Sequence, residues 1–384
     1  MTTRIYIPRE TTASSLGAEL LVDAITTEAK YRNLPIEIVR NGSRGACFLE
    51  PLVEVETAAG RVGYGPVQLE DIPELFDSNF LSGGQHKLAL GNVNELPWFK
   101  NQERLTFARA GLIAATSVEE YKKLGGFVGL QNALKLSGAE IVKEVLDSGL
   151  RGRGGAAFPT GIKWKTVMDA VDTQKYIVCN ADEGDSGTFS DRMIMEGDPL
   201  SLVEGMTIAG IAVGATKGFV YLRSEYPLTQ TILLEAIANA RAAGYLGSNV
   251  AGSGKAFELE VRMGAGAYIC GEETSLLESL EGRRGQIRFK PPLPALKGLF
   301  GKPTVVNNVI SLTTIPVIME KSAKHYANFG MGRSRGTMPF QLGGNIKQGG
   351  LVEKAFGLTL GQLINDFGGG TASGKPVRAV QVGG

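Results

Sequence analysis

The chain has 384 residues, too many for one ordinary domain, so two or three are expected. Its 40 basic and 39 acidic residues leave a net charge of +1, which provides no electrostatic footprint for nucleic acid or a membrane surface. The N-terminus MTTRIYIPRE holds no signal-peptide core, and the longest apolar stretch, Gly205 to Ala215, falls short of the ~20 residues a spanning helix needs, so a cytoplasmic protein without membrane insertion is expected.

Taken in chain order, residues 4–7 read as a strand, and Leu16, Leu20, Ala24 and Ile25 line one face of a helix running to about Arg32. Ile36–Val39 is a second strand. Leu52–Glu56 alternates and returns through Val62 and Tyr64 as a hairpin, and a short helix near Ile72–Phe76 ends at Gly83-Gly84. This order predicts a thioredoxin-like domain over 1–84. Its stretch Arg40–Gly84 resembles the C-terminal half of two-iron ferredoxin-like subunits. Only Cys47 remains where such a cluster needs several thiolates, so the domain reads as degenerate, structural or docking. Residues 85–116 read as a connector.

A domain over 117–335 opens with two expected capping boxes, Ser117-x-x-Glu120 and Ser137-x-x-Glu140. The second helix ends near Ser148, with Gly149 suited to the left-handed position that follows. Tyr176–Cys179 and Phe219–Leu222 read as buried strands, each leading into a helix, and Phe257–Met263 as a further strand. Residues 336–384, short apolar runs divided by Gly-rich turns with a helix over Leu360–Phe367, suggest a small β-grasp-like domain. The fold class is therefore α/β in several units.

Glycine is the outlier of the composition, at 52 residues about twice the usual ~7%. The glycines cluster at particular turns, and four elements there can carry chemistry. In Arg151-Gly-Arg-Gly-Gly-Ala-Ala-Phe-Pro-Thr-Gly-Ile-Lys-Trp164, bare backbone N–H groups can line a nest for phosphate or flavin oxygens. Lys163 adds a cation, and Phe158 a ring to stack on a base. A weak GxGxxA match is present, but this loop follows a helix and a Rossmann loop follows a strand, so the site reads as non-Rossmann. A purely structural glycine turn is the competing reading.

The second element, Asn180-Ala-Asp182-Glu183-Gly-Asp185, follows a strand and places carboxylates where sugar or ribityl hydroxyls can be met; an acidic surface turn is its bland alternative. In the third, Gly264 to Leu277, Tyr268 and Cys270-Gly271 lead into a helix whose first turn holds Glu272 and Glu273, a placement that capping alone also explains. Cys270 reads as a small buried residue, and the isolated Gly252-Ser-Gly-Lys255 as an incomplete Walker fragment. The fourth runs through Lys290-Pro-Pro-Leu293 to Val306-Asn307-Asn308, where two asparagines open a helix as phosphate ligands or as a plain N-cap.

In this order and spacing the four elements resemble the NADH-binding flavoprotein subunit of respiratory complex I and its soluble relatives in NAD-reducing hydrogenases and NAD-dependent formate dehydrogenases. The resemblance covers about 117–384. It implies that Gly152, Arg153, Gly154, Lys163, Asn180, Asp182, Glu183, Tyr268, Gly271, Glu272, Val306, Asn307 and Asn308 line an FMN site. Phe158, Lys163, Asp185, Glu273 and Lys290 then meet NAD(H). Ala157 stands where Gly is usual, and Leu293 where an aromatic often flanks the adenine.

The activity implied is hydride transfer between nicotinamide and flavin, with single electrons passed on to an iron–sulfur chain. No protein acid–base residue is required for the hydride step, and none is assigned. Family members continue into a Cys-rich helical domain, so a four-iron cluster is expected only if the chain continues beyond Gly384; the cysteines of this stretch (Cys47, Cys179, Cys270) are scattered single thiols that imply no metal site.

A thioredoxin-like domain fused ahead of the flavin domain looks most like the beta subunit of a cytoplasmic formate dehydrogenase. Its implied partners are a small two-iron ferredoxin-like subunit and a molybdenum-containing alpha subunit. The hydrogenase and complex I flavin subunits are the rivals, and a non-catalytic nucleotide-binding scaffold is the alternative of another class.

Overall fold

A computed structural model describes residues 2–383. Its N-terminal part is a five-stranded mixed sheet of β1 (Thr3–Tyr6), β2 (Ile36–Val39), β3 (Val53–Thr57), β4 (Gly60–Tyr64) and β5 (Ala89–Asn92), in the order β2-β1-β3-β4-β5. β1 and β2 run parallel because the helix Ala18–Tyr31 carries the chain back across the sheet, while β3 and β4 form a tight hairpin. Ile5, Val53, Val55 and Tyr64 alternate onto the face covered by Leu21, Ile25 and Leu75. The segment 85–116 is more than a connector. β5 lies within it and pairs antiparallel with β4 through a bulge at Gly63/Tyr64, so the sheet continues past residue 84.

The loop after β2, Asn41 to Cys47, is wedged into the rest of the chain. Asn41 Nδ2 donates to the Gly111 carbonyl at 2.8 Å, and the Gly45 carbonyl accepts from Leu351 N at 2.8 Å. Arg44 makes a bidentate pair with Glu54, both bonds 2.7 Å and both side chains buried. Such a charge-assisted fork holds one geometry and closes the seam. Cys47 sits here half-buried, and burial, with the nearby Glu10 and Glu50 charges, pushes its thiol up to about 12.

The larger part is built on a wholly parallel sheet of β6 (Tyr176–Ala181), β7 (Lys217–Leu222), β8 (Glu258–Met263) and β9 (Thr304–Asn308), in the order β8-β7-β6-β9. The chain steps outward from β6 through β7 to β8 and then crosses to the other side of β6. The strand order therefore reverses between β6 and β9, which opens a crevice at their carboxyl ends.

The helix Pro199–Val213 is apolar all round and almost wholly buried under the sheet, as its sequence requires. It crosses the helix Val309–Lys321 so closely that a Cβ on Gly205 would stand 2.0 Å from the Leu312 carbonyl oxygen. The apolar stretch Gly205–Ala215 is thus core; among the described residues no helix is long and apolar enough to cross a membrane. Glu204 on the same helix accepts from Tyr121 OH at 2.6 Å and from the amides of Phe127 and Leu130 at 2.8 Å, which pins residues 121–130 to the core.

Beyond two-residue strands β10 (Gly330–Met331) and β11 (Ser334–Arg335), β12 (Thr337–Leu342) and β13 (Gly350–Ala355) form a hairpin, followed by a helical turn over Leu360–Phe367. Val352, Leu363 and Phe367 pack on Trp98, Phe99 and Ala46. This segment therefore shares a core with the N-terminal part.

Candidate functional site

The glycine loop joins the helix Gly138–Asp147 to the helix Thr160–Asp169. The first helix starts with a complete capping box: Ser137 Oγ accepts from Glu140 N, and Glu140 accepts from Ser137 N. Ser117 forms only half of its expected box, because the Glu120 carboxylate is taken by Arg4 and by the Ala114 amide. After the first helix Gly149 turns at φ +70°, and the loop is closed at its base by Gly152 N donating to the Phe158 carbonyl at 2.8 Å.

Within that clasp residues 154–158 are exposed, and among the described residues no acceptor meets their amides. Ala157 is held at φ +49°, a conformation glycine adopts without cost. The Arg153 guanidinium does not face this nest. It is drawn to the Tyr326 hydroxyl at 2.9 Å and the Arg335 carbonyl at 2.8 Å, and it lies over the Phe356 ring. It also reaches back to the Arg151 carbonyl at 2.9 Å, while its amide donates to Ser311 Oγ on the helix Val309–Lys321 at 2.9 Å.

The loop meets the crevice at β9. A Cβ on Gly154 would lie 3.0 Å from the Asn308 Cβ. Asn308 caps the helix Val309–Lys321, accepting from Ser311 N, and its amide donates to Asp191 at 2.7 Å. Burial, with the neighbouring Glu183 charge, pushes the Asp191 carboxyl well up from its ordinary range. Asn307 is turned inward, where its oxygen accepts from the buried Trp164 indole at 2.8 Å. Asn307 therefore ties β9 to the second helix, while Asn308 ties the start of the helix Val309–Lys321 to the helix Ser190–Gly197.

At the end of β6 the acidic residues divide. Glu183 is a structural cap: it accepts from the amides of Asp191 and Arg192, at 3.0 and 3.1 Å, and from Tyr226 OH at 3.0 Å. Asn180 donates to the Gly271 carbonyl at 2.8 Å, which sets β6 against the third element. The Asp182 carboxyl meets no protein donor among the described residues. Half-burial raises it to about 6, opposed by Arg223 and assisted by Glu225. Asp185 accepts from Tyr268 OH at 2.6 Å, while the Tyr268 ring, 69% exposed, lies against Gly184.

The two glutamates of the third element are distinct. Glu272 is the N-cap of the helix Glu273–Leu280, accepting from Thr274 N at 2.8 Å and Ser275 N at 2.9 Å. Burial alone would raise its pKa, but the hydrogen bonds of Thr274, Lys290 and Ser275 outweigh it and hold the group at about 2. Glu273 is clasped by two ammonium groups, Lys290 at 2.9 Å and Lys163 at 3.3 Å. Lys163 also donates to the Val306 carbonyl at 2.8 Å, so it bridges β9 and this helix. The crevice thus has bare amides and Phe158 on one wall, and an exposed tyrosine with a lysine–carboxylate lattice on the other.

The Nuo51 FMN-binding domain model (Complex1_51K) matches residues 145–317, the span that holds all four elements. The chain is 49% identical over 285 residues to the NADP-reducing hydrogenase subunit HndC of Solidesulfovibrio fructosivorans, covering 74% of this chain and 58% of that protein. It is 47% identical over 264 residues to the F component of the NADH-quinone oxidoreductase of Aquifex aeolicus (strain VF5), covering 69% and 62%. The chain belongs to the family of NADH-binding flavoprotein subunits.

A crystal structure of an NAD+-reducing NiFe-hydrogenase in the air-oxidized state superimposes with a TM-score of 0.59 at 27% identity, covering 95% of this chain and 60% of that one. The chain spans about 60% of the length of these family members. Sequence reasoning alone could not see how this flavoprotein-family site divides its carboxylates. Glu183 and Glu272 bind helix N-termini, whereas Asp185 and Glu273 meet side chains instead, and Asp182 meets no protein donor among the described residues. The Trp164–Asn307 bond was also unread. Its one signal was an aromatic with an N–H directly after Lys163.

Proposed function

We propose that this chain binds FMN and NAD(H) at the crevice between β6 and β9 and positions the two for hydride transfer, as a subunit of an NAD-linked dehydrogenase. The observation that carries this reading is the convergence of the unpartnered amides of residues 154–158, the free Asp182 carboxyl and the Lys163–Glu273–Lys290 lattice on one strand-order reversal. These residues fit a flavin mononucleotide. Bare amides suit a phosphate or the flavin carbonyls, a free carboxylate suits ribityl hydroxyls, and the space opposite Gly154 is one that a side chain would fill.

When bound, the flavin supplies the hydride acceptor or donor. The chain's own residues bind and orient. The loop amides hold the flavin, and Gly152, Gly154 and Gly271 let backbone approach it. Phe158, Asp185, Glu273 and Lys290 meet the dinucleotide. No side chain is assigned a proton transfer.

The finer placement we propose is the beta subunit of a cytoplasmic NAD-dependent formate dehydrogenase, with a small two-iron ferredoxin-like subunit and a molybdenum-containing alpha subunit as partners. It is supported by the N-terminal α/β unit with its single Cys47, read as a degenerate thioredoxin-like docking domain ahead of the flavin domain. The 49% identity to HndC favours a hydrogenase flavin subunit equally. Formate-dependent against H2-dependent NAD reduction by the complex that co-purifies with the chain separates the two. The site itself is tested by identifying the flavin released on denaturation and by NADH oxidation with an artificial dye.

A further inference from the structure

Outside the crevice, Arg151, Arg333 and Arg335 converge on one cavity of about 550 Å³. Its walls are the two legs of the glycine loop, the end of the helix Gly138–Asp147 and the turn that joins β10 to β11. None of the crevice residues named above lines it. Among the described residues the Arg151 and Arg333 guanidiniums meet no protein acceptor, and Arg335 makes a single bond, 3.3 Å, to the Ala327 carbonyl. The one acid in the wall, Asp147, is already paired with Lys143. Like charges gathered in one concavity repel one another and raise the local potential for an anion.

Solvated surface arginines are the plain alternative, but the walls that carry these three are fixed. Arg151 pairs with Pro159 across the base of the loop, and the Leu150 carbonyl accepts from Thr160 N at 3.0 Å. The segment after β11 is pressed onto Tyr326, where a Cβ on Gly336 would stand 1.9 Å from the ring. The Arg335 stem lies against Gly149, whose added Cβ would stand 3.0 Å from the Arg335 Cγ. Cations held in place before a ligand arrives lose little freedom on binding it. Val145, Leu150 and Pro159 add apolar lining, and the volume falls within the range of small-molecule sites.

The geometry points to a second ligand site: this cavity takes a phosphate group, free or as the head of a small ester. Planar guanidinium forks meet phosphate oxygens in pairs, and the apolar lining gives room for an organic body. Both legs of the glycine loop border the cavity, and the Arg335 carbonyl accepts from Arg153. An occupant therefore also braces the loop, and flavin release slows when the site is filled. That second effect rests on the proposed function, whereas the binding itself does not.

Isothermal titration of the purified chain at fixed ionic strength, with inorganic phosphate in one arm and glycerol 3-phosphate in the other, tests the site and tells the two sources apart. Saturable binding of one equivalent is expected, weakened roughly 10- to 100-fold in Arg333→Gln and in Arg335→Gln. Arg333 is exposed in its turn, so Arg333→Gln keeps the fold, and thermal unfolding checks this. In the FMN-loaded chain the tighter of the two ligands is expected to slow flavin release, and to have no such effect in Arg333→Gln. No saturable binding of either ligand, or equal affinity in both variants, overturns the site. Intact binding with unchanged flavin release overturns the bracing of the loop. A chain that holds no flavin overturns the proposed function and leaves the titration to decide the site by itself.

Discussion

Gly154 approaches Asn308 so closely that a Cβ on the glycine would lie 3.0 Å from the asparagine Cβ. The glycine loop is thereby seated on the helix N-cap at the end of β9, and the exposed amides of the loop face the crevice between β6 and β9. A longer side chain at 154 must displace Asn308 or swing the loop outward.

Gly154→Val is therefore expected to lose FMN while the fold persists, since residues 154–158 are exposed and contribute little to the core. Flavin absorbance of the purified variant, with its thermal unfolding alongside, checks this. Retention of stoichiometric flavin would place the cofactor elsewhere.

Nucleotide preference follows from the clasp on Glu273. A 2′-phosphate brought near this carboxylate is repelled, and Glu273→Gln removes the charge while freeing Lys163 and Lys290 to meet the phosphate. The NADPH/NADH ratio of kcat/KM is expected to rise by up to about 10²-fold. Glu272→Gln instead loses an N-cap already satisfied by Thr274, Ser275 and Lys290, and is expected to cost about 1 kcal/mol of stability with the ratio unchanged. An unchanged ratio in both variants would reduce the two glutamates to helix capping.

Asp182 gives the site a pH dependence. Half-burial raises its carboxyl to about 6, so the group is neutral below that pH and ionised above it. Because the folded-state value is raised, its contribution to stability is present at low pH and is lost as pH rises through about 6. Ligand hydroxyls donate to the ionised form, so flavin affinity is expected to increase as pH rises through the same window. Flavin dissociation constants measured between about pH 5 and 7 are expected to titrate in the unsubstituted chain and to lie flat in Asp182→Asn. The same pH profile in both would assign the titration to another group.

The buried pair Arg109–Asp198, Nε to Oδ2 at 3.0 Å, ties the segment after β5 to the start of the core helix Pro199–Val213. Removing one partner strands the other charge in the interior. Arg109→Ala is expected to destabilise the chain by about 3–5 kcal/mol in denaturant unfolding. A loss below about 1 kcal/mol would show that the seam relaxes around the unpaired carboxylate.

The buried strands were legible because Ile177, Val178 and Val220 form short apolar runs, and the helix Gly138–Asp147 because its capping box and Gly149 mark both ends. The chemical elements were legible as glycines and carboxylates at strand ends. β5 was not, since Ala89–Asn92 contains a glycine and an asparagine and takes its conformation from pairing with β4. Nor was the division of labour among the acids. Glu183 and Asp182 are adjacent in sequence, and only the tertiary position of the helix Ser190–Gly197 turns Glu183 into a cap. Arg153 belongs to the loop in sequence, but its guanidinium is claimed by Tyr326 and Arg335, more than 170 residues away in the chain.

The most direct test of a flavin and dinucleotide site between β6 and β9 is anaerobic mixing of the FMN-loaded chain with NADH, followed at the flavin absorption band. Stoichiometric bleaching of bound FMN by NADH is expected, and its loss in Gly154→Val together with the flavin. A chain that retains no FMN, or whose bound FMN stays oxidised in excess NADH, would contradict it.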